Sequence, residues 1–231
     1  ANKPYVELVN YAPGSYSYGT ANGILTVDES IGFLQLLDFG ETKVDFGGLR
    51  QYLVRRNTET GRKSINVYLS DDYHIKHIEF KLDSGDVNVK NVKNRADFTL
   101  KIAAGNLLFE GNKSNAAVSL EMGTGDAILR DSAITMLDAE VRRGDLSYYA
   151  YNFALQTYDI TTGGGSVYVE GADKGETYTA STPMAFIKIN AKVKNGNVFL
   201  GAADPNAPKS GEDSETTVDK PAETAAETSA K

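Results

Sequence analysis

The sequence predicts an all-β chain, built as a parallel β-solenoid: a β-helix-like stack of rungs of about 20 residues behind an N-terminal β-rich cap. Two observations carry this prediction. A glycine followed by a small polar residue recurs along the chain, and apolar residues alternate with polar ones on both sides of it. Period-two alternation is typical of strands that have one face inward. No helix-period stretch of useful length is present.

Six copies of the repeat can be aligned on their glycines. They span residues 80–89, 100–109, 120–129, 139–148, 158–169 and 191–200, with anchors at Gly85, Gly105, Gly125, Gly144, Gly163 and Gly196. The first four anchors recur at a nearly constant spacing, and the fifth copy carries two additional glycines. Gly-Asp and Gly-Asn supply the positive φ and the side-chain hydrogen bonding of a tight corner.

The same apolar pattern flanks every anchor. Five and three positions before it stand Phe80/Leu82, Leu100/Ile102, Leu120/Met122, Ala139/Val141, Tyr158/Ile160 and Ala191/Val193. After it stand Val87/Val89, Leu107/Phe109, Ala127/Leu129, Leu146/Tyr148, Val167/Val169 and Val198/Leu200. These residues are the predicted core.

Two arrangements of strand–corner–strand units fit this pattern. A meander of hairpins would alternate the strand direction and would not need the same corner in every copy. In a solenoid, equivalent residues lie about 4.8 Å apart, so identical corners stack on one another. The constant offset from apolar residue to glycine favours the solenoid, in which one rung cannot fold without its neighbours.

The ends of the chain lack the repeat. Residues 1–64 contain strand-like pieces, and we assign them to a β-rich cap or leading subdomain, because a solenoid needs its open end covered. Residues 65–202 form the repeat domain. Residues 203–231 hold seven acids, three lysines and no aromatic residue, leucine or isoleucine. We predict that this acidic tail is disordered, mobile and dispensable for folding.

Composition excludes several classes of function. The formal charge of −7 argues against a nucleic-acid partner, which needs clustered Lys and Arg. No apolar run is long enough to predict a membrane span, and a start at Ala1 predicts that any signal peptide has been removed. Without cysteine or a nucleotide-binding or nucleophile motif, we expect no catalytic residue and no cofactor.

Two groups of residues raise the question of a metal site. The only histidines, His74 and His77, are spaced so that they fall on opposite faces of a strand. The corners align Asp86, Asn106, Asp126, Asp145, Ser166 and Asn197. Calcium could bridge such carboxylates, but Asn and Ser interrupt the column. We interpret the column as turn chemistry and predict no metal.

The outward positions differ between the two strands of a rung. Before the corner they read Lys81, Lys101, Glu121, Glu140, Asp159 and Lys192, which predicts a solvated face. After the corner they read Asn88, Leu108, Ile128, Ser147, Tyr168 and Phe199. The four apolar residues Leu108, Ile128, Tyr168 and Phe199 are the predicted binding residues, because a contiguous apolar stripe marks a covered or binding surface. The N-terminal segment 1–60, a second copy or a partner protein are the alternative covers.

The repeat begins with the strand 65–69, a short polar link and an apolar strand that meets Ser84-Gly85-Asp86-Val87, and further Gly-Asp or Gly-Asn rungs follow. This pattern resembles the bacterial adhesin-like family of β-strand repeats. The resemblance covers about residues 60–202. A proline often follows the leucine of the first strand in that family, where this chain has Ser70.

The resemblance implies a non-enzymatic, extracytoplasmic protein, secreted or at the bacterial cell surface, that binds or scaffolds a protein or another surface component. One alternative is an envelope-stress or regulatory module that binds a peptide or a membrane protein. Another is a glycan-acting enzyme, which would need paired carboxylates in a cleft; the outward acids show no such grouping in the sequence.

Overall fold

A computed structural model describes residues 5–10, 16–21, 24–29, 41–45, 53–57, 64–68, 75–93, 95–113, 115–183 and 185–206. Within these ranges the chain is all-β, as predicted, with one short 3₁₀ turn at Phe153–Leu155.

The strands fall into three groups along the chain. The N-terminal strands are β1 (Tyr5–Val9), β2 (Tyr16–Ala21), β3 (Ile24–Glu29), β4 (Glu41–Asp45), β5 (Leu53–Asn57) and β6 (Ser64–Tyr68). The first four copies contribute β7 (His77–Leu82), β8 (Val87–Lys90), β9 (Asp97–Ala104), β10 (Leu107–Glu110), β11 (Ala116–Thr124), β12 (Ala127–Arg130), β13 (Ile134–Arg143) and β14 (Leu146–Tyr149). The remainder are β15 (Gln156–Thr162), β16 (Val167–Val169), β17 (Ala172–Asp173), β18 (Thr177–Ala180), β19 (Ile187–Asn195) and β20 (Val198–Gly201).

The repeat copies build two parallel sheets. Each copy places the strand before its corner in a ten-stranded sheet, sheet 1, and the strand after its corner in a seven-stranded sheet, sheet 2. Neighbouring copies are in register, so that Leu100 lies beside Leu120 in sheet 1 and Leu107 beside Ala127 in sheet 2. The parallel pairing confirms the stacking of equivalent strands and shows that a meander of hairpins is wrong.

The order of the copies in space differs from their order in the sequence. In sheet 1 the parallel strands run β7-β9-β11-β13-β19-β15, and in sheet 2 they run β8-β10-β12-β14-β20-β16. The sixth copy therefore lies between the fourth and the fifth. The cause is the chain that follows the fifth copy: β18 pairs antiparallel with β15, and β17 pairs antiparallel with β16. These strands already occupy the outer edge where the sixth copy would otherwise add.

The corner of the fifth copy also differs from the prediction. Ile160 lies beside Ala191 and Val167 beside Val198, which makes Gly165, and not Gly163, the equivalent of Gly196. The inward residues before this corner are thus Ile160 and Thr162. The alignment on Gly163 was wrong because three consecutive glycines offer three registers, and strand alternation alone does not choose among them.

The inward residues form one continuous core between the two sheets. Leu100, Phe109, Leu129 and Val141 are each fully buried. Phe98 and Phe109 meet edge to face with ring centroids 5.1 Å apart. Each such side chain contributes about 1.5–3 kcal/mol on burial, so the alternation read from the sequence accounts for the main stabilising contact between the sheets.

The N-terminal strands extend this architecture. β4 pairs antiparallel with β7, and sheet 1 continues from it through β3 to β2. β1 pairs parallel with β5 and antiparallel with β6 in a separate three-stranded sheet. Val6 and Leu8 of β1 are buried in the same core as the repeat residues. Whether residues 1–64 act as a cap stays a prediction.

Two buried tyrosines, Tyr148 and Tyr158, differ in how their hydroxyl groups are satisfied; both side chains are 1% exposed. The Tyr158 hydroxyl donates to the carbonyl of Phe153 at 2.9 Å and lies 3.0 Å from Oε1 of Gln156. The Tyr148 hydroxyl has no hydrogen-bond partner among the residues that the structure describes. Burial raises the pKa of Tyr148 to about 12, and the nearby Gln156 side chain opposes this only in part.

Removing the two hydroxyl groups should therefore have opposite effects. We expect Tyr148→Phe to raise the free energy of unfolding by about 1 kcal/mol, because it deletes a buried polar atom without a partner. Tyr158→Phe should lower it by about 1 kcal/mol, because the Phe153 carbonyl loses its donor. Urea unfolding followed by circular dichroism measures both. A larger loss for Tyr148→Phe than for Tyr158→Phe would contradict this account.

Candidate functional site

The corners of successive copies are joined by a ladder of side-chain hydrogen bonds. In each step Oδ1 of a corner residue accepts the backbone N–H of the corner residue in the next copy. The distances are 2.8 Å (Asn106 N to Asp86), 3.0 Å (Asp126 N to Asn106), 2.9 Å (Asp145 N to Asp126), 2.7 Å (Asn197 N to Asp145) and 3.0 Å (Ser166 N to Asn197). The side chains of the column thus hydrogen-bond from one corner to the next, which extends the turn chemistry predicted from the sequence across the copies.

No described part of the chain gathers three or more metal-binding side chains of the His, Asp or Glu type. His77 lies half-buried on β7, and His74 falls outside the described residues. The ladder oxygens are instead engaged by backbone donors. The absence of a metal remains a prediction.

A second ladder, which the sequence reasoning missed, lies at the opposite end of the sheet 2 strands. Asn112 is fully buried; its Oδ1 accepts the Val92 N–H at 2.8 Å, and its Nδ2 donates to the Val89 carbonyl. Its backbone N–H donates to Oγ of Ser132 at 3.1 Å. Val92, Asn112 and Ser132 recur at the same spacing as the corner glycines. This spacing is the sequence signal that indicates the second ladder.

The outer face of sheet 1 is charged. Lys81, Lys101, Glu121, Glu140 and Lys192 are exposed and aligned across neighbouring strands. In the fifth copy Thr161, rather than Asp159, continues the column, because the register of that copy is shifted. Most of these residues, with their neighbours, border a shallow groove of about 290 Å³.

The structure brings two acids of this face together, contrary to the expectation from the sequence. Glu121 and Glu140 are register partners on β11 and β13 and line the groove. Glycosidases use such pairs when one acid lies in an apolar pocket. Both carboxylates here are exposed on an open face, so the pair lacks the surroundings that would make one of them a general acid.

The outer face of sheet 2 carries the predicted binding residues in one column, which we call the apolar column. Leu108 lies beside Ile128, and Phe199 lies beside Tyr168, with Ser147 between the two pairs. All five are half-buried. The rings of Tyr168 and Phe199 are stacked, with centroids 5.2 Å apart and planes at 12°. The structure thus brings the four residues into line, and their role in binding stays a prediction.

An ion-pair cluster closes the end of this face. The Arg130 guanidinium binds Oε1 of Glu110 at 2.7 Å and Oδ2 of Asp204 at 2.6 Å, and Lys90 lies 3.4 Å from Glu110. The Arg130 and Asp204 side chains are only 10% and 6% exposed. The hydrogen bond to Asp204 raises the pKa of Arg130, opposed by burial.

Asp204 is the first acid of the predicted tail. It lies at the C-terminal end of the described residues, yet it is bound to a side chain of the third copy. Residues 207–231 fall outside the described residues, so the tail prediction is untested for them. No sequence pattern pointed to Asp204, because its partner lies 74 residues away.

Two truncations separate Asp204 from the rest of the tail. Ending the chain after Ala203 should lower the free energy of unfolding by about 1–2 kcal/mol, because Arg130 loses a charge-assisted hydrogen bond. Ending it after Asn206 should change it by less than about 0.5 kcal/mol, given the composition of the tail. Thermal unfolding checks both, with full-length Asp204→Asn as the matched control. Equal stability of the two truncations would contradict the role of Asp204.

A family model described as Toastrack DUF4097 matches residues 55–226, about three quarters of the chain. The chain belongs to the Toastrack DUF4097 family. The match covers β6, every strand of the six copies and the ion-pair cluster. It confirms a β-rich repeat family, as the resemblance implied, whereas the adhesin part of that resemblance stays a prediction.

The Toastrack match is the finding that places this chain among known proteins. No similarity to a curated protein or to a solved structure was found. Helical structure in the described ranges is limited to Phe153–Leu155, so none of these residues belongs to a helix that could span a bilayer.

Proposed function

We propose that this Toastrack protein is a non-enzymatic binding or scaffold protein that works outside the cytoplasm, secreted or at the bacterial cell surface. Its binding face is the apolar column on sheet 2. The observation that carries the proposal is the alignment of Leu108 with Ile128 and of Phe199 with Tyr168 on one outer face.

The geometry of the column suits a binding role. Four large apolar side chains stand half-buried on a sheet whose strands are locked in register by the corner ladder. A rigid surface loses little conformational entropy when a partner binds it. Stacked aromatic rings present flat apolar faces of the kind found at the centre of protein interfaces.

We propose that the six copies wind as a β-solenoid, since both sheets share the same order of copies and a common corner ladder supports them. The extracytoplasmic placement rests on the resemblance to adhesin-like repeats. A cell-surface or protein partner follows from that placement.

Binding to cell envelopes of the source organism tests the function. We expect the labelled wild-type protein to co-sediment with isolated envelopes, and Leu108→Asp/Ile128→Asp to lose at least ten-fold in bound fraction. The two new carboxylates would lie side by side at half-buried positions, so we expect the variant to lose about 1–2 kcal/mol of stability and to stay folded, which circular dichroism checks. Tyr168→Ala/Phe199→Ala tests the aromatic half of the column in the same way.

The control replaces residues of the same two copies on the other face. Lys101→Ser/Glu121→Ser changes the charged outer face of sheet 1 and should bind as the wild type does. The proposal fails if the control loses as much binding as Leu108→Asp/Ile128→Asp. It fails equally if the folded wild type does not bind envelopes at all.

The second candidate is an envelope-stress or regulatory module that binds a peptide, and one observation favours it. Sheet 2 ends at β8 in the described part of the chain, whereas sheet 1 continues from β7 into β4. Val87 and Asn91 direct their N–H groups toward the copy that contains β10, which leaves the N–H groups of Asn88 and Lys90 for the opposite edge. An extended peptide could add there as a strand.

A proline substitution at the β8 edge of sheet 2 distinguishes the peptide-binding module from a protein that binds through the apolar column. Asn88→Pro removes one edge donor and keeps all four apolar side chains of the column, the nearest of which is its register partner Leu108. Loss of envelope binding in Asn88→Pro, with retained binding in Leu108→Asp/Ile128→Asp, would favour the peptide-binding module. The opposite pattern supports the apolar column.

A further inference from the structure

The sixth copy comes last of the six in the sequence, yet it forms a layer inside the stack. β19 pairs with β13 on one side and with β15 on the other. β20 pairs with β14 and with β16 in the same way. Residues 187–201 therefore fill a slot whose two walls are formed by residues that precede them in the chain.

The slot has a defined chemistry. It buries Ile189, Val193 and Val198 completely or nearly so, together with Ala191 and Leu200. At the corner, Asn197 donates its N–H to Asp145 and accepts the Ser166 N–H through Oδ1. Gly196 is required there, because a Cβ would lie 2.0 Å from the Gly144 carbonyl oxygen. The slot therefore accepts a segment with alternating apolar residues on both sides of a Gly-Asn corner.

The described residues that join β18 to the sixth copy are exposed or half-buried. Ser181 and Pro183 are exposed, and Phe186 is 89% exposed. The described contacts of this link are few: Oγ1 of Thr182 donates to the Ala154 carbonyl, and the Ala185 N–H donates to the Thr182 carbonyl. Straightening the described part of this link breaks these two hydrogen bonds and no strand pairing, which is the requirement for a hinge.

We propose that residues 187–201 are an exchangeable arm, and that two copies of this chain form a dimer in which each fills the slot of the other. A second copy satisfies every contact of the slot, because it supplies the identical segment. Since the amino-terminal part of a chain folds first during synthesis, β13 and β14 can form one wall of the slot before the arm is made, whereas β15 and β16 join the stack only through an arm. At high local concentration another arm then competes for the slot.

Exposed apolar residues beside the hinge identify a second copy as the occupant. Leu155 precedes Gln156, whose register partner is Ile187, and Phe186 precedes Ile187. Leu155 is 63% exposed and Phe186 is 89% exposed. Arm exchange makes the hinge the connection between the two halves of the dimer. A second copy can therefore cover these side chains, whereas a monomer leaves both in water.

Cysteine cross-linking in the full chain tests the proposal, since the sequence contains no cysteine. Glu140 and Lys192 are exposed register partners on β13 and β19. Their Cα atoms are therefore about 4.8 Å apart, within the range of a disulfide. One chain carries Glu140→Cys and the other Lys192→Cys. The two are unfolded in urea, refolded together at high and at low protein concentration, and oxidised.

We expect a disulfide-linked heterodimer whose yield rises at least ten-fold from the low to the high protein concentration. The control mixes Lys81→Cys with Lys192→Cys, which are equally exposed but lie on strands far apart in sheet 1, and should give at most a tenth of that yield. Ser147→Cys with Phe199→Cys repeats the test on sheet 2 and guards against misfolding of one variant. Equal cross-linking in the control, or a folded monomer alone after concentrated refolding, would overturn the proposal.

Discussion

Gly125→Ala is expected to abolish folding or to cost at least about 4 kcal/mol of stability, one of the largest effects that a single methyl group can have. Gly125 has a φ of +134°, which an L side chain rarely adopts. A Cβ there would also lie 1.8 Å from the carbonyl oxygen of Gly105, in the corner of the neighbouring copy. The stack would have to open by more than an ångström at that point, which would break the corner ladder on both sides.

Substitution of a second glycine, Gly171, separates the effect of a positive φ from the effect of a close backbone contact. Gly171 has a φ of +78°, but a Cβ there would meet nothing within 4 Å. Gly171→Ala should therefore cost only the conformational penalty of about 1–2 kcal/mol. Circular dichroism and urea unfolding measure both variants. Similar losses for Gly125→Ala and Gly171→Ala would show that the corners do not depend on close approach.

Arg130→Ala is expected to lower the free energy of unfolding by about 3 kcal/mol, because it leaves the nearly buried carboxylate of Asp204 without its cation. Glu110 and Asp204 would then face each other across the space that the guanidinium occupied. Lys90→Ala is the matched control. The Lys90 side chain is 48% exposed and 3.4 Å from Glu110, so its loss should cost less than about 0.5 kcal/mol.

The effect of Arg130→Ala should depend on pH. Burial on its own would raise the pKa of Glu110, but hydrogen bonds and charges from Arg130 and Lys90 outweigh it and hold the pKa below its ordinary value of 4.5. The resulting stability is fully present above that ordinary value and is lost as the pH falls through the lower, folded-state pKa. Urea unfolding at pH 7 and pH 3 should show a smaller difference between wild type and Arg130→Ala at pH 3. A difference that grows on acidification would contradict the assignment.

The elements of the repeat could be predicted from the sequence because each depends on local chemistry. Alternation around Gly105 or Gly125 defines two strands and a corner without reference to any other copy. The direction of pairing followed from the constant offset between Leu100 and Gly105, repeated at Leu120 and Gly125.

The order of the copies could not be predicted, since all six carry a glycine corner and a similar alternation of inward residues around it. Any copy can therefore pair with any other. The choice is made by β17 and β18, two short and mostly exposed strands that occupy the edge of the fifth copy. Their sequences give no sign of which edge they cover.

Of the candidate site, the apolar column could be predicted and the ion-pair cluster could not. The strand alternation that places the core residues inward also places Leu108 and Ile128 outward. Arg130 lies next to the buried Leu129 at the end of a strand, where the sequence suggests a solvated cation. Its burial depends on Asp204, which reaches it from a segment whose composition is typical of disorder.

The internal position of the sixth copy changes what an unfinished chain looks like. In most stacked repeats, translation that stops early yields a shorter stack with one ordinary end. Here a product that stops before residue 187 would lack an inner layer, and the edges of β13 and β15 would both be unpaired. Unpaired edges invite aggregation and expose backbone to proteases. The repeat domain is therefore complete only once residues 187–201 have been made, so that products truncated before them should be degraded rather than accumulate.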